Sequence, residues 1–421
     1  RIDPALAGYF LTPVDEVLFI IKPKAEDSVM KKSKQTNCTT IVPTENNNIL
    51  DRCNKIAKSA NKKTKTLHSK WFGCVLGLAL AWWIPITHAE QSHEYHYRYI
   101  SLSKVTLPSG FAQFTPVAID DKRKVYGDIY DSSGVAHIAV YGDGVLHVLQ
   151  PGNVLTVNAR GTIGGYVTDP QTGNFQAALF RGDEVEIIPL LPGETKTFVQ
   201  SLNDSDTALV RSEAPSALST YRLYKKGETF FSYQLPTGSD CSGCWEVNNK
   251  GIVVGTIFDP NLNAFRAIRF LPPYNKPQLL NPLPTDSDTT SFGISKSGDI
   301  IGVSHVFLGD STKNHYGIWD RQGNFKFYFE GINYFALFNN KNLIVLTQNF
   351  DTDNNSYLVP RPGVRLNIMD LLDNPADADV QLAAVVDINN HGDMTGYGCD
   401  VDFNLCGGFL LQRALPETRE N

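Results

Sequence analysis

Seven times between residues 118 and 396 the chain repeats a phrase of the form apolar-Asn-x-x-Gly-x-apolar-x-Gly, and this repetition constrains the fold more than any other feature. The copies are AIDDKRKVYG (118–127), VNARGTIGG (157–165), LNDSDTALV (202–210), VNNKGIVVG (247–255), ISKSGDIIG (294–302), FNNKNLIVL (338–346) and INNHGDMTG (388–396). Their first apolar residues, Ile119, Val157, Leu202, Val247, Ile294, Phe338 and Ile388, lie 38, 45, 45, 47, 44 and 50 residues apart. Periods of about 40 to 50 residues belong to four-stranded propeller blades or to two-helix solenoid repeats.

Local chemistry selects the propeller. An Asn followed three residues later by Gly makes a tight turn, because the amide caps its own backbone while Gly accepts a positive φ. Asn158 with Gly161, Asn248 with Gly251, Asn389 with Gly392, and Gly298 fill these positions. Asp206 and Asn342 are the non-Gly types that tolerate the Gly position best, whereas Arg123 fits it poorly. The residues that follow are β-branched or apolar and often end on Gly (Gly127, Gly165, Gly255, Gly302, Gly396), as where one strand crowds another. Helical repeats would instead be rich in Ala, Leu, Glu and Lys.

The register continues past the anchor. Asp131, Asp169, Asp259 and Asp400 lie 12 residues after their anchors and Asp351 lies 13 after its own, each opening a polar hairpin turn. A small residue within an apolar run follows: Ala139, Ala178, Ala267, Gly317 and Gly408. A fourth run closes on Pro/Gly punctuation, as in LQPG (149–152), LLPG (190–193), LPTG (235–238) and NPLPT (281–285). Each repeat therefore reads as a four-stranded meander that must bury its faces against neighbours. The last repeat ends after its third strand at Gln412, and YISLSKVTLPSG (99–110) supplies the missing fourth, so no sheet edge is left open. The expectation is an all-β, seven-bladed propeller of four-stranded antiparallel blades, closed by an N-terminal strand.

Charge divides the chain in two. Of 38 Lys+Arg and 44 Asp+Glu, residues 1–89 hold 13 and 7, which leaves 25 and 37 for residues 90–421, a net charge near +6 against one near −12. So acidic a body, without a Lys/Arg stripe, lacks the footprint of a nucleic-acid or anionic-membrane binder. The apolar run WFGCVLGLALAWWIPI (71–86) follows Lys62, Lys63, Lys65 and Lys70 and precedes Thr87-His88-Ala89, the pattern of an export signal cleaved after Ala89. At about 16 residues with Pro85 inside, the run is shorter than the roughly 20 that span a bilayer. Residues 1–70 read as a poorly structured leader or upstream extension, with a non-AUG start expected near Leu67. Residues 71–89 form the signal region, 90–413 the propeller and 414–421 a flexible tail. The destination is then the periplasm, the cell surface or the medium.

Export leaves Cys241, Cys244, Cys399 and Cys406, an even number in an oxidising compartment, and structural disulfides are the expectation for all four. Cys399 and Cys406 can staple a hairpin, while Cys241-Ser-Gly-Cys244 would close a tighter loop. A redox pair or a four-Cys metal site are the alternatives, and a redox pair lacks the βαβ context it needs.

The Ile-Asn-Asn-x-Gly-x-x-x-Gly phrase (388–396), with a small-apolar-aromatic group some twenty residues later, resembles the bacterial extracellular HAF repeat. The resemblance covers about residues 97–413, with AHIAVY (136–141) nearest to the His-Ala-Phe element that no repeat here carries in full. It implies an exported propeller-like protein with no agreed activity, and it lends no catalytic residues.

Candidate chemistry is sparse. GISKSG (293–298) and GVSHV (302–306) lack the Gly-x-Ser-x-Gly frame of a hydrolase elbow. DTDNN (351–355) and DVDFN (400–404) resemble the start of a calcium loop but lack its later Gly and Glu, so turn-capping carboxylates are expected there. His93, Glu94 and His96 sit near the mature terminus without metal-site spacing, and His137 and His147 could pair across adjacent strands. Trp319-Asp320 occurs once, too rarely for a WD repeat. Trp245, Tyr316, Trp319, Tyr328, Phe329 and Tyr334 could stack glycans, though blade cores are the commoner home for such residues. Function is therefore expected to be non-enzymatic binding of an extracellular protein or glycan by a monomer, with no cofactor, metal or catalytic residue, no nucleic acid and no membrane contact after cleavage. The alternative is a carbohydrate-active hydrolase or lyase with carboxylates at the channel mouth.

Overall fold

The computed structural model describes residues 94–414, apart from 215–216, 235–242, 275, 309–310, 332–333, 349–354 and 400–405. These residues form seven four-stranded antiparallel sheets, one per repeat. Within blades 1 to 6 strands a to d follow in chain order, and in blade 7 strands a to c do; strand a is innermost throughout. The inner strands of blades 1 to 7 are Phe111–Ile119, Asn153–Val157, Lys196–Leu202, Gly243–Val247, Asp288–Ile294, Tyr334–Phe338 and Gln381–Ile388. The apolar residue that opens each anchor is the last residue of its inner strand, so all seven anchor turns lie at one end of the disc.

The turns adopt the conformation their chemistry dictates. Gly161, Gly251, Gly298 and Gly392 have φ of 84°, 75°, 101° and 87°, and the equivalent Arg123, Asp206 and Asn342 have 66°, 58° and 60°. The glycines at the third position of strand b answer a different demand, since a Cβ on Gly165 would lie 1.8 Å from the Asn153 carbonyl oxygen and one on Gly396 2.0 Å from that of Ala384. Both face a β-bulge in the inner strand, between Val154 and Thr156 and between Val385 and Asp387. Blades 1, 3, 4 and 5 shift register just before the anchor as well, whereas blade 6 pairs without a shift. A bulge adds one residue and re-aims the side chain that follows it.

Burial closes the ring. The core divides into seven apolar clusters, one at every seam between neighbouring blades. At the seam of blades 1 and 2, Tyr126 and Ile138 meet Val154, Ile163 and Phe180. At the last seam Leu102 and Leu410 pack against Phe114, Ile129 and Leu146 of blade 1. The meander thus hides both its faces against its neighbours, which supplies the hydrophobic gain that a lone blade lacks.

Strand d of blade 7 is Tyr97–Ser101, paired antiparallel with Cys406–Arg413 from Tyr97↔Arg413 to Ser101↔Phe409. Closure follows the sequence expectation, but the strand begins earlier than Tyr99 and ends at Ser101. The Leu107-Pro108-Ser109-Gly110 stretch lies beyond the strand and ends in a turn at Ser109-Gly110 that leads into blade 1. Cys399 and Cys406 face each other across strands b and c of this blade and form a disulfide. Cys241 lies outside the described residues, as does the side chain of Cys244, so their expected bridge falls outside them too.

Candidate functional site

The seven anchor turns gather round the mouth of the central channel, a cavity of about 170 Å³. The first polar anchor position is held by Asp120, Asn158, Asn203, Asn248, Ser295, Asn339 and Asn389. Each Asn has two tasks. Its Oδ1 caps the turn from within, as when Asn158 accepts from the N–H groups of Arg160 and Thr162 at 3.0 Å each. Its Nδ2 donates to the carbonyl of the same position one blade on: Asn158 to Asn203 (3.1 Å), Asn203 to Asn248 (2.9 Å), Asn248 to Ser295 (3.0 Å), Asn339 to Asn389 (3.0 Å) and Asn389 to Asp120 (3.0 Å). The amide ring is broken after Asp120 and Ser295, whose side chains carry no amide.

A second ring lies one residue further on, at Asp121, Ala159, Asp204, Asn249, Lys296, Asn340 and Asn390. Here backbone N–H groups donate to the next blade's side chain: Ala159 to Asp204 (3.0 Å), Asp204 to Asn249 (2.8 Å), Lys296 to Asn340 (2.6 Å), Asn340 to Asn390 (3.2 Å) and Asn390 to Asp121 (2.9 Å). Lys296 Nζ also reaches Asp204 at 2.7 Å, past blade 4. The mouth is therefore a rim of amides and carboxylates rather than a channel lined by small and apolar groups.

Two carboxylates sit just inside this rim. Glu246 of blade 4 and Asp387 of blade 7 occupy equivalent positions, immediately after the inner-strand bulge. Glu246 Oε2 accepts from the Ile294 N–H at 2.7 Å, and Asp387 Oδ2 accepts from the Ile119 N–H at 2.8 Å, each bonding the next blade round. Ser201 serves the Val247 N–H in the same way in blade 3. A Cβ on Gly293 would lie 2.5 Å from Glu246 Oε2, so this glycine leaves room for the carboxylate. Both acids keep a partial contact with the channel but are otherwise enclosed by protein. Loss of hydration pushes Glu246 up to about 7, with the Asp387 charge adding to the rise, and burial pushes Asp387 up to about 6, with Asp121 adding to it.

Sequence reasoning missed both acids and the inter-blade role of the amides. The available signal was the residue before each anchor's apolar position, Ala118, Thr156, Ser201, Glu246, Gly293, Leu337 and Asp387, where only two repeats carry a charge.

The residues singled out from sequence have mostly structural places. Asn158, Gly161, Asn248, Gly251, Gly298, Asn389 and Gly392 form the anchor turns, and the three Asn line the mouth. Asp131 caps its own turn through the Ser133 and Val135 N–H groups, and Asp169 and Asp259 do the same through Gln171 and Asn261. Asp351 and Asp400 lie outside the described residues, as does His93. Glu94 and His96 converge on no metal-binding group among the described residues, and His96 instead faces Asp373 at 3.8 Å. His137 and His147 do not pair, because His137 stands opposite Pro151 and His147 opposite Val140. His137 bonds Asp131 at 3.2 Å. Tyr316 and Trp319 are buried in two different seams, with Tyr328 and Phe329 packed on the cluster that holds Tyr316, so these aromatics form blade cores rather than a stacking surface. The Trp319 indole donates to the Asn281 carbonyl at 2.9 Å. The side chains of Trp245 and Tyr334 are outside the described residues.

No family model and no curated protein matches the chain. Among solved structures it is similar to an oligogalacturonate lyase in complex with manganese (TM-score 0.52, 11% identity, 77% of this chain and 97% of that one). It is also similar to the oligogalacturonate lyase of Vibrio parahaemolyticus (TM-score 0.50, 10% identity, 76% and 98%). At such identities the likeness is one of fold.

Proposed function

We propose that the protein is an exported, non-enzymatic binding propeller of the HAF-repeat kind, whose polar channel mouth receives part of an extracellular protein or glycan. One observation carries this reading: every carboxylate at the mouth is already committed to hydrogen bonds within the protein, and all but Asp120 bridge neighbouring blades or span one. Glu246 and Asp387 accept from inter-blade N–H groups, Asp121 from Asn390, and Asp204 from Ala159, Asn249 and Lys296. Asp120 caps Lys122 and Lys124 and accepts from the Tyr126 hydroxyl. The cavity is also smaller than the roughly 300–1,000 Å³ that encloses a drug-sized ligand. A mouth of this size suits one protruding group of a larger ligand, and its amides offer both donors and acceptors to hydroxyls or peptide groups. The test is a glycan array and a binding screen against extracellular proteins, run with the wild type and a Lys296→Ala, Asn340→Ala variant. The reading expects ligands that the variant loses while its circular dichroism is kept, and ligands bound equally by both proteins would overturn it.

A second reading is a carbohydrate-active hydrolase or lyase. What favours it is that Glu246 and Asp387 are both raised toward neutrality and interact, so that one can stay protonated while the other is ionised, as general acid and base require.

A further inference from the structure

A second cavity, of about 400 Å³, lies in the cleft between blade 7 and blade 1. One wall comes from the outer strands of blade 7, with Arg98 opposite Gln412 and Ile100 opposite Leu410 in the ladder, so the four side chains share one face. The other wall is the anchor turn of blade 1, Lys122-Arg123-Lys124, together with the strand c to strand d turn at Gly142-Asp143-Gly144. The floor is the seam core, where Tyr141, Ile100 and Leu410 meet.

The charge in this cleft is out of keeping with the body round it. Arg98, Lys122, Arg123 and Lys124 line it against the single acid Asp143, in a chain segment whose net charge is near −12. The acids at the channel mouth, Asp120, Asp121, Asp204, Glu246 and Asp387, do not line this cleft and are engaged in hydrogen bonds within the protein, and a further group of acids lies at the other end of the disc. Asp131, Asp169 and Asp259 open b to c turns there, and Asp286, Asp370, Asp373, Asp377 and Asp379 lie in connections between blades at the same end. Arg123 explains how the cations are held. It takes the left-handed turn conformation that other blades give to Gly, Asp or Asn, and its Nε bonds the fully buried Asp393 of blade 7 at 3.0 Å. That bond neutralises Arg123 and pins the turn across the seam, with Lys122 and Lys124 exposed on either side. The stem of Lys124 lies over Gly142, where a Cβ would come within 3.3 Å of it. Among the described residues no ion pair engages Arg98, Lys122 or Lys124.

We infer that this cleft is an anion site for an acidic polysaccharide, which sets the carboxylate or sulfate of a sugar unit between Arg98 and the two lysines. A planar guanidinium and two ammonium groups supply the donors an oxyanion needs. Gln412 offers a polar group to the ring that carries it, above the floor that Tyr141 helps to form. The inference shares with the channel reading only the premise that the protein binds its ligand, and the two sites use separate residues, so their tests fail separately.

The test compares three polymers on one backbone: dextran, carboxymethyl dextran and dextran sulfate, with binding to the full chain followed by biolayer interferometry. Wild type binds at least one charged polymer more than tenfold tighter than dextran, and the difference shrinks as salt rises from about 20 mM to about 500 mM. Whether carboxymethyl dextran or dextran sulfate binds more tightly identifies the oxyanion. Lys122→Glu with Lys124→Glu, and separately Arg98→Glu, lower that affinity at least tenfold, while Asp143→Asn raises it. All these side chains except Arg98 lie in turns, and Arg98 is exposed, so unchanged melting is expected and is measured for each variant. Equal binding of all three polymers, no binding of either charged one, or charge-reversed variants that bind like wild type overturns the site.

Discussion

Replacing Glu246 by Gln tests whether a carboxylate enclosed inside the channel destabilises the ring at neutral pH. The folded protein raises this acid from an ordinary 4.5 to about 7. A raised acid binds its proton more tightly in the folded than in the unfolded state. Its contribution to stability is therefore complete below about pH 4.5 and is lost as pH rises through 7. Every tenfold gain in proton affinity is worth about 1.4 kcal/mol, so a rise of this size sets a ceiling of about 3 kcal/mol. Gln keeps an oxygen that can accept from the Ile294 N–H as the protonated acid does. The stronger bond of the ionised acid is already contained in the net rise, and partial contact with channel water holds the gain below the ceiling. The expected outcome is that E246Q matches wild type near pH 4.5 and exceeds it by about 1–2 kcal/mol at pH 8, a shift of a few degrees in Tm. Thermal unfolding by calorimetry at closely spaced pH values from about 4 to about 8 measures it. Asp387, raised to about 6, and Asp128, raised to about 6 by burial beneath the Val154 N–H, add the same sign of slope to the wild type. Below about pH 4 the sign reverses, because Asp204, Asp206 and Asp379 are held below their ordinary range by hydrogen bonds and cations and lose those bonds on protonation. A wild type and an E246Q variant with parallel stability curves from pH 4.5 to 8 would refute the enclosed-carboxylate account.

Two further substitutions probe the fold. Gly396→Ala drives a Cβ into the Ala384 carbonyl opposite the bulge and against the Phe409 ring, and should cost about 2–4 kcal/mol in denaturant unfolding; a loss below about 1 kcal/mol would mean that the bulge yields. Cys399→Ser opens a bridge between residues seven apart, for which loop entropy predicts a loss of about 2 kcal/mol, and reductant should erase the difference between variant and wild type.

What the sequence disclosed, and what it hid, follow from how far each feature reaches along the chain. The anchor turn is local: Asn and Gly three residues apart decide their own backbone, so Asn158-Gly161 and its six counterparts give blade number and strand order without help from neighbours. The ends of the ring were legible because the seventh repeat lacks a strand, although the strand that completes it is Tyr97–Ser101 rather than one beginning at Tyr99. The site was harder. Asn203 carries the same cap signal whether or not its Nδ2 reaches Asn248, and that second bond exists only once blades stand side by side. Glu246 and Asp387 follow a bulge, so a strict period of two misplaces the faces of the strand that bears them. The cleft beside Arg98 joins residues from the first and last strands of the propeller with the Lys122–Lys124 turn, and no spacing in a sequence encodes that meeting.

The central claim is that the channel binds a ligand without transforming it, and product analysis at saturation tests this most directly. The best ligand from the array would be incubated with wild type and with a Glu246→Gln, Asp387→Asn variant, and recovered ligand measured by mass spectrometry. The account predicts unaltered ligand from both proteins, held with affinities within about threefold of each other. Cleaved or eliminated product from wild type that vanishes in the variant would contradict it and establish the two carboxylates as a catalytic pair.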